Sequence, residues 1–205
     1  MTYLFLHGLG QSAASWDRVL GALHCEGETL CPELSGFLRD GPCSYAVLYQ
    51  AFSAYCDGVS GPVSLCGLSL GGMLAMQYAI ERPERVSSLV LIGTQYTTPK
   101  RLLRVQNAVF RVMPKRAFAG AGFQKVDFIR LCGSMAELDF QDALVKIVCP
   151  ALVVCGERDR ANRPAALGLK ERLPAGELCI LKGAGHEANV DAPEALGAVL
   201  HAFWK

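Results

Sequence analysis

Between Pro62 and Gly72 the chain passes from an apolar strand through Gly67-Leu68-Ser69-Leu70-Gly71 into a helix, and few folds accommodate such a turn. The reversal is tight enough to force Ser69 into strained backbone angles, and a side chain at Gly67 or Gly71 would meet neighbouring backbone. The strain has a chemical consequence. It lifts the Ser69 hydroxyl clear of the sheet, while the helix that follows aims its free N–H groups and positive dipole end at whatever the hydroxyl attacks.

A serine hydroxyl is a weak nucleophile at neutral pH unless a base takes its proton, so an imidazole oriented by a carboxylate is required elsewhere in the chain. Of four histidines, His186 in Gly183-Ala184-Gly185-His186 falls just beyond a strand, on the sheet edge where Ser69 sits. His24 and His201 fall in helices away from that edge. His7 reaches the correct edge, but beside Gly8 it suits shaping of a loop better than proton transfer, and it is a candidate for contact with substrate or cap. For the carboxylate, Ala151-Leu152-Val153-Val154-Cys155-Gly156-Glu157-Arg158-Asp159 offers two acids after a strand; Asp159 is preferred and Glu157 is the fallback. A tetrahedral intermediate also needs donors for its oxyanion, each worth about 2.7–4 kcal/mol in the barrier. The backbone N–H of Leu70 supplies one, and that of Leu9, in His7-Gly8-Leu9-Gly10, is assigned the second.

Around this constellation, short apolar runs alternate with segments of helical period, the pattern of β-α units feeding a parallel sheet with helices on both faces. Six strands are predicted at Thr2–Leu6, Glu28–Cys31, Val63–Cys66, Ser88–Ile92, Ala151–Cys155 and Leu178–Leu181. Helices are predicted at Trp16–His24, Tyr45–Asp57, Leu70–Glu81, Ala165–Leu173 and Pro193–Phe203, the last capped by Asp191. The connection from Gln95 to Cys149 is 55 residues long, and its 95–148 span is expected to form a cap inserted in a single domain covering 1–205. Within it, 99–113 reads as an amphipathic helix, Leu102, Val105, Val109 and Val112 on one side and Arg101, Arg104, Arg111 and Lys115 on another.

Charge sharpens that division. The formal net charge is +1, which gives no reason to expect nucleic acid as partner. Yet residues 95–130 hold eight Lys and Arg against the lone acid Asp127, leaving −6 on the rest. Arg101 and Arg104 are thus candidate contacts for an anionic substrate, against the plainer reading of a solvated helix face. The opening residues lack a basic n-region and break at His7-Gly8, so no secretory leader is read and a cytoplasmic location is expected. Nine cysteines without a C-x-x-C pair suit small apolar residues in a reducing compartment. The run from Val63 to Ile80 is too interrupted by polar residues and glycine for a stable membrane span.

Taken together, His7-Gly8-Leu9-Gly10 with Trp16 downstream, Gly67-Leu68-Ser69-Leu70-Gly71, Cys155-Gly156-Glu157-Arg158-Asp159 and Gly183-Ala184-Gly185-His186-Glu187 resemble the α/β-hydrolase family, in its small esterase, C–C hydrolase and lyase-like members. The resemblance implies an α/β-hydrolase fold with a mainly parallel six-stranded sheet, the usual N-terminal hairpin missing and a short helical cap. It implies the triad order Ser69, Asp159, His186, a small acyl or ester substrate, and no metal or cofactor. It leaves open a lyase or C–C hydrolase acting on an anionic substrate, and a hydrolase-like ligand receptor. Pro32-Glu33-Leu34-Ser35-Gly36-Phe37 departs from the D-x-x-G-x-G-x-S segment common in the family at that point.

Overall fold

The computed structural model describes residues 1–38, 42–98, 108, 112–114 and 124–205. Among them, strands β1 (Thr2–Leu6), β2 (Glu28–Leu30), β3 (Val63–Leu68), β4 (Val86–Ile92), β5 (Ala151–Gly156) and β6 (Gly176–Leu181) form one sheet in the order β2-β1-β3-β4-β5-β6. Every neighbouring pair is parallel. A parallel sheet needs cover on both faces. Helices α1 (Asp17–Ala22), α2 (Tyr45–Asp57), α3 (Leu70–Glu81), α4 (Lys125–Ser134), α5 (Arg163–Arg172), α6 (Ala188–Asp191) and α7 (Pro193–Phe203) surround it.

The period-two alternation of the strands divides the core in two. Leu4, Leu6, Leu65, Leu89, Leu91 and Val153 cluster with Leu48 and Phe52 of α2, Leu74 and Tyr78 of α3 and Leu169 of α5. Their alternates Tyr3, Phe5, Cys66, Leu68, Val90, Ile92, Leu152 and Val154 cluster with Trp16, with Val19 of α1, and with Leu196 and Leu200 of α7. The central strands β3 and β5 are buried at all positions, whereas the edge strands β2 and β6 are largely exposed or half-buried. Helix α3 is buried on nearly every side, as its apolar composition demands.

Strand order reverses direction between β1 and β3, because β1 is followed outward by β2 while β3 lies on its other side. In open α/β sheets this switch point opens a crevice at the carboxyl ends of the strands. The loop after β1 and the turn after β3 flank it.

Several expectations shift in detail. The first helix is a 3-10 turn at Ala13–Trp16 followed by α1, and it stops at Ala22 because Leu23 turns extended to bury its side chain. Asp191 does not cap the last helix. It closes α6, where its Oδ2 accepts the Gly185 N–H at 2.6 Å, and Ala192 occupies the N-cap of α7. Strand β6 begins two residues early because Gly176 pairs with Ala151. The 99–113 helix lies outside the described residues except for Ala108, Val112 and Met113, and so do Arg101 and Arg104. The described remainder of that connection holds an antiparallel bridge between Thr97 and Asp139, helix α4 and a 3-10 segment at Gln141–Lys146. Among the described residues no helix is long and apolar enough to cross a membrane.

Candidate active site

Ser69, at φ 52° and ψ −110°, is the non-glycine residue with positive φ among the described residues. A β-carbon at Gly67 would lie 2.3 Å from the Gly71 carbonyl oxygen, and one at Gly71 would lie 2.2 Å from that of Leu6. The two glycines therefore let α3 start directly against β1 and β3. The Ser69 N–H donates to the Ile92 carbonyl at 2.9 Å, binding the turn to the end of β4. Leu70 is the first residue of α3, so its N–H is one of the four that open the helix and have no partner within it.

Across the switch point, the loop after β1 makes a turn in which the Gln11 N–H donates to the Gly8 carbonyl at 3.2 Å and Gly10 takes φ 95°. The Gly8 N–H donates to Gln11 Oε1 at 3.2 Å, which engages it inside the turn. Leu9, half-buried, is left at the corner. The same Gln11 amide exchanges hydrogen bonds with Asn189, donating to Oδ1 at 3.1 Å and accepting from Nδ2 at 3.2 Å. Both side chains are buried, and together they tie this loop to the segment that follows His186.

His7 is fully enclosed. Its Nδ1 faces the Gly8 carbonyl at 2.9 Å, and its Nε2 accepts the Leu34 N–H at 3.1 Å. Those contacts brace the base of the loop against the segment after β2 and leave the ring no face toward the crevice. Glu33 accepts the Ala13 N–H at 3.0 Å, so the departure from the usual family segment here carries a structural clasp.

After β5, Asp159 is 6% exposed and its Oδ2 lies 2.9 Å from Nδ1 of His186. A carboxylate there places the imidazole proton on Nδ1 and leaves the Nε2 lone pair as acceptor. Burial pushes the Asp159 carboxyl up, but hydrogen bonds from His186 and Asn162 outweigh it and hold the group below its ordinary value. The ring rests on Gly93, where a β-carbon would lie 2.9 Å from Nδ1. Since Leu68 pairs with Ile92, Ser69 and Gly93 leave neighbouring strands side by side, about 4.8 Å apart in such a sheet. Gly156 matters similarly, because a β-carbon there would strike the Gly185 carbonyl and push the His186 loop away.

Glu157, the fallback acid, instead accepts the Gly183 N–H at 2.9 Å on the surface and fixes the turn after β6. His24 and His201 meet each other at the opposite end of the molecule, with ring centroids 6.0 Å apart. Sequence reasoning missed four amides: Gln11, Asn189, Asn162 and Gln95. Asn162 Nδ2 donates to both Asp159 oxygens at 2.9 Å, and its Oδ1 accepts Gln95 Nε2 at 2.7 Å. The signal available was their position three residues or fewer from a candidate site residue or strand end. Among the described residues no group of three or more His, Cys, Asp or Glu side chains is arranged to hold a metal ion.

A family model described as the alpha/beta hydrolase family matches residues 3–199. A pimeloyl-(acyl-carrier protein) methyl ester esterase of Aeromonas salmonicida is 25% identical over 98% of this chain and 94% of its own length. The corresponding esterase of Nitrosomonas europaea is 33% identical, but over 44% of this chain and 36% of that one. Among solved structures, the enol-lactonase of Burkholderia xenovorans superposes with a TM-score of 0.84 at 17% identity, covering 98% of this chain and 90% of its own; at that identity the likeness bears on fold alone.

Proposed function

From a chain that belongs to the alpha/beta hydrolase family, we propose a serine hydrolase that cleaves a carboxylic ester or related acyl substrate through an acyl-enzyme. The Ser69 oxygen attacks the carbonyl carbon as His186 Nε2 takes its proton. The carbonyl π pair moves onto oxygen, which the Leu9 and Leu70 N–H groups receive. Collapse of the intermediate expels the alcohol, protonated by His186. Water, deprotonated by the same nitrogen, then attacks the acyl-enzyme; the bond from the acyl carbon to the Ser69 oxygen breaks as His186 returns the proton to that oxygen, and the acid leaves. Asp159 holds the Nδ1 proton and stabilises the imidazolium. These steps draw on side chains and backbone amides alone.

The observation that carries the reading is the Asp159–His186 hydrogen bond, packed over Gly93 beside a serine held at positive φ. Esterase names among the relatives favour acyl transfer as the chemistry. The basic 95–130 segment is proposed as part of a cap over the crevice, with Arg101 and Arg104 available to an acidic substrate. A cytoplasmic setting suits nine unpaired cysteines; for several, burial pushes the thiol well above its ordinary value and leaves it protonated and unreactive.

Turnover of short-chain p-nitrophenyl esters tests the reading. Wild type is expected to hydrolyse them with kcat reduced by about a thousandfold or more in Ser69→Ala. Equal turnover in the two proteins would overturn it.

A further inference from the structure

Asp159 touches more than its histidine. The Asn162 side chain donates to both carboxylate oxygens at 2.9 Å, and its backbone N–H reaches Oδ1 at 3.3 Å. Its Nδ2 also lies 3.0 Å from His186 Nδ1, so two N–H donors converge on the one oxygen, Asp159 Oδ2. The far end of the same amide accepts Gln95 Nε2 at 2.7 Å. Asn162 is the N-cap of α5, Asp159 follows β5, and Gln95 is the third residue after β4. The chain of contacts therefore clamps the acid between neighbouring strand ends, at the root of the long β4–β5 connection.

The two ends of a carboxamide are nearly equal in size, and hydrogen bonding alone decides which faces a neighbour. Here the acceptor-only carboxylate selects the N–H end of Asn162, and the Gln95 donor on the oxygen at the far end holds the amide in that orientation. Were the Asn162 amide reversed, its oxygen would stand 2.9 Å from both Asp159 oxygens and 3.0 Å from His186 Nδ1. It would repel the carboxylate and compete with it for the imidazole proton. We propose that Gln95 and Asn162 are positioning residues for the hydrolytic reaction: the amide of Asn162, braced by Gln95, holds the Asp159 carboxylate in line with His186 and keeps the Nδ1–H of the imidazole directed at that carboxylate. This rests on the triad reading above. A clasp of merely structural use would alter stability but neither the proton shared by Asp159 and His186 nor kcat at constant KM.

The test compares wild type, Asn162→Ala and the isosteric Gln95→Glu, which replaces the donor with an acceptor. Ester turnover is measured alongside the far-downfield proton resonance of His186 Nδ1–H, assigned by its loss in His186→Ala. Asn162→Ala is expected to lower kcat about 10- to 100-fold, the loss of hydrogen bonds to a charged group, with KM within about twofold, and to shift or broaden the resonance. Gln95→Glu, which keeps side-chain volume, is expected to act in the same direction by about tenfold, and carries the test should Asn162→Ala not fold. Unchanged kcat and an unchanged resonance in a folded Gln95→Glu protein would overturn the proposal. So would a rise in KM at constant kcat. Should Ser69→Ala turn over esters as fast as wild type, the hydrolase reading fails instead, while the resonance still reports whether the amide pair orders the Asp159–His186 proton.

Discussion

At the scale of single residues, Asp159 is where burial and hydrogen bonding oppose each other, and hydrogen bonding wins. A carboxyl whose folded pKa lies below its unfolded value contributes stability above the unfolded value and loses it as pH falls through the folded one. Asp159→Asn is therefore expected to be less stable than wild type at about pH 7, with the difference shrinking once pH drops below the ordinary 3.8. Urea unfolding across a pH series measures this, and a difference that grows toward acid would contradict it. The same scale marks what a sequence can and cannot disclose. Ser69, Asp159 and His186 are conspicuous because their chemistry is distinctive and each follows a glycine-punctuated strand end. Gln95 and Asn162 are ordinary loop amides with no periodicity. Their role comes from a 2.7 Å contact across 67 residues of chain, and no local pattern encodes that. The buried Gln11–Asn189 exchange spans 178 residues and is equally silent in one dimension.

Among elements, the strands are legible because burial on both faces favours apolar runs: β5 is apolar from Ala151 to Cys155, whereas β3, broken by Ser64, is marked by the glycine turn that follows it. Helix ends were less so. Asp191 before Ala192-Pro193 has the look of an N-cap, yet the Gly185 N–H claims its carboxylate and the chain inserts α6 first. Trp16 looked like the start of a helix and instead enters the core from a 3-10 turn, fully buried beside Phe5 at a centroid distance of 5.3 Å. The strand-turn-helix unit of β3 and α3 was readable in detail, since its glycines mark backbone contacts rather than propensities. Gly71→Ala would drive a β-carbon into the Leu6 carbonyl, and is expected to destabilise the protein by about 1–3 kcal/mol or more. Gly133→Ala in α4, with open space around the new carbon, is expected to be neutral or slightly stabilising. Thermal unfolding distinguishes them: a melting temperature unchanged by Gly71→Ala would contradict the tight packing of the elbow.

For the whole molecule, the parallel sheet does one thing that no single element does. It brings the carboxyl ends of its parallel strands to one rim, where Ser69 follows β3, Gly93 follows β4, and Asp159 and His186, after β5 and β6, share a hydrogen bond; their joint action on a substrate is the proposal made above. The charge division between a basic 95–130 segment and an acidic remainder was also plain from the sequence, whereas the arrangement of Arg101 and Arg104 lies outside the described residues. The central claim is that this rim turns the Ser69 hydroxyl into an attacking group. Covalent labelling with a fluorophosphonate, followed by peptide mass spectrometry, tests it most directly. The account predicts a single adduct on the peptide bearing Ser69, absent in Ser69→Ala and formed far more slowly in His186→Ala. An unlabelled protein, or an adduct that persists in Ser69→Ala, would contradict it.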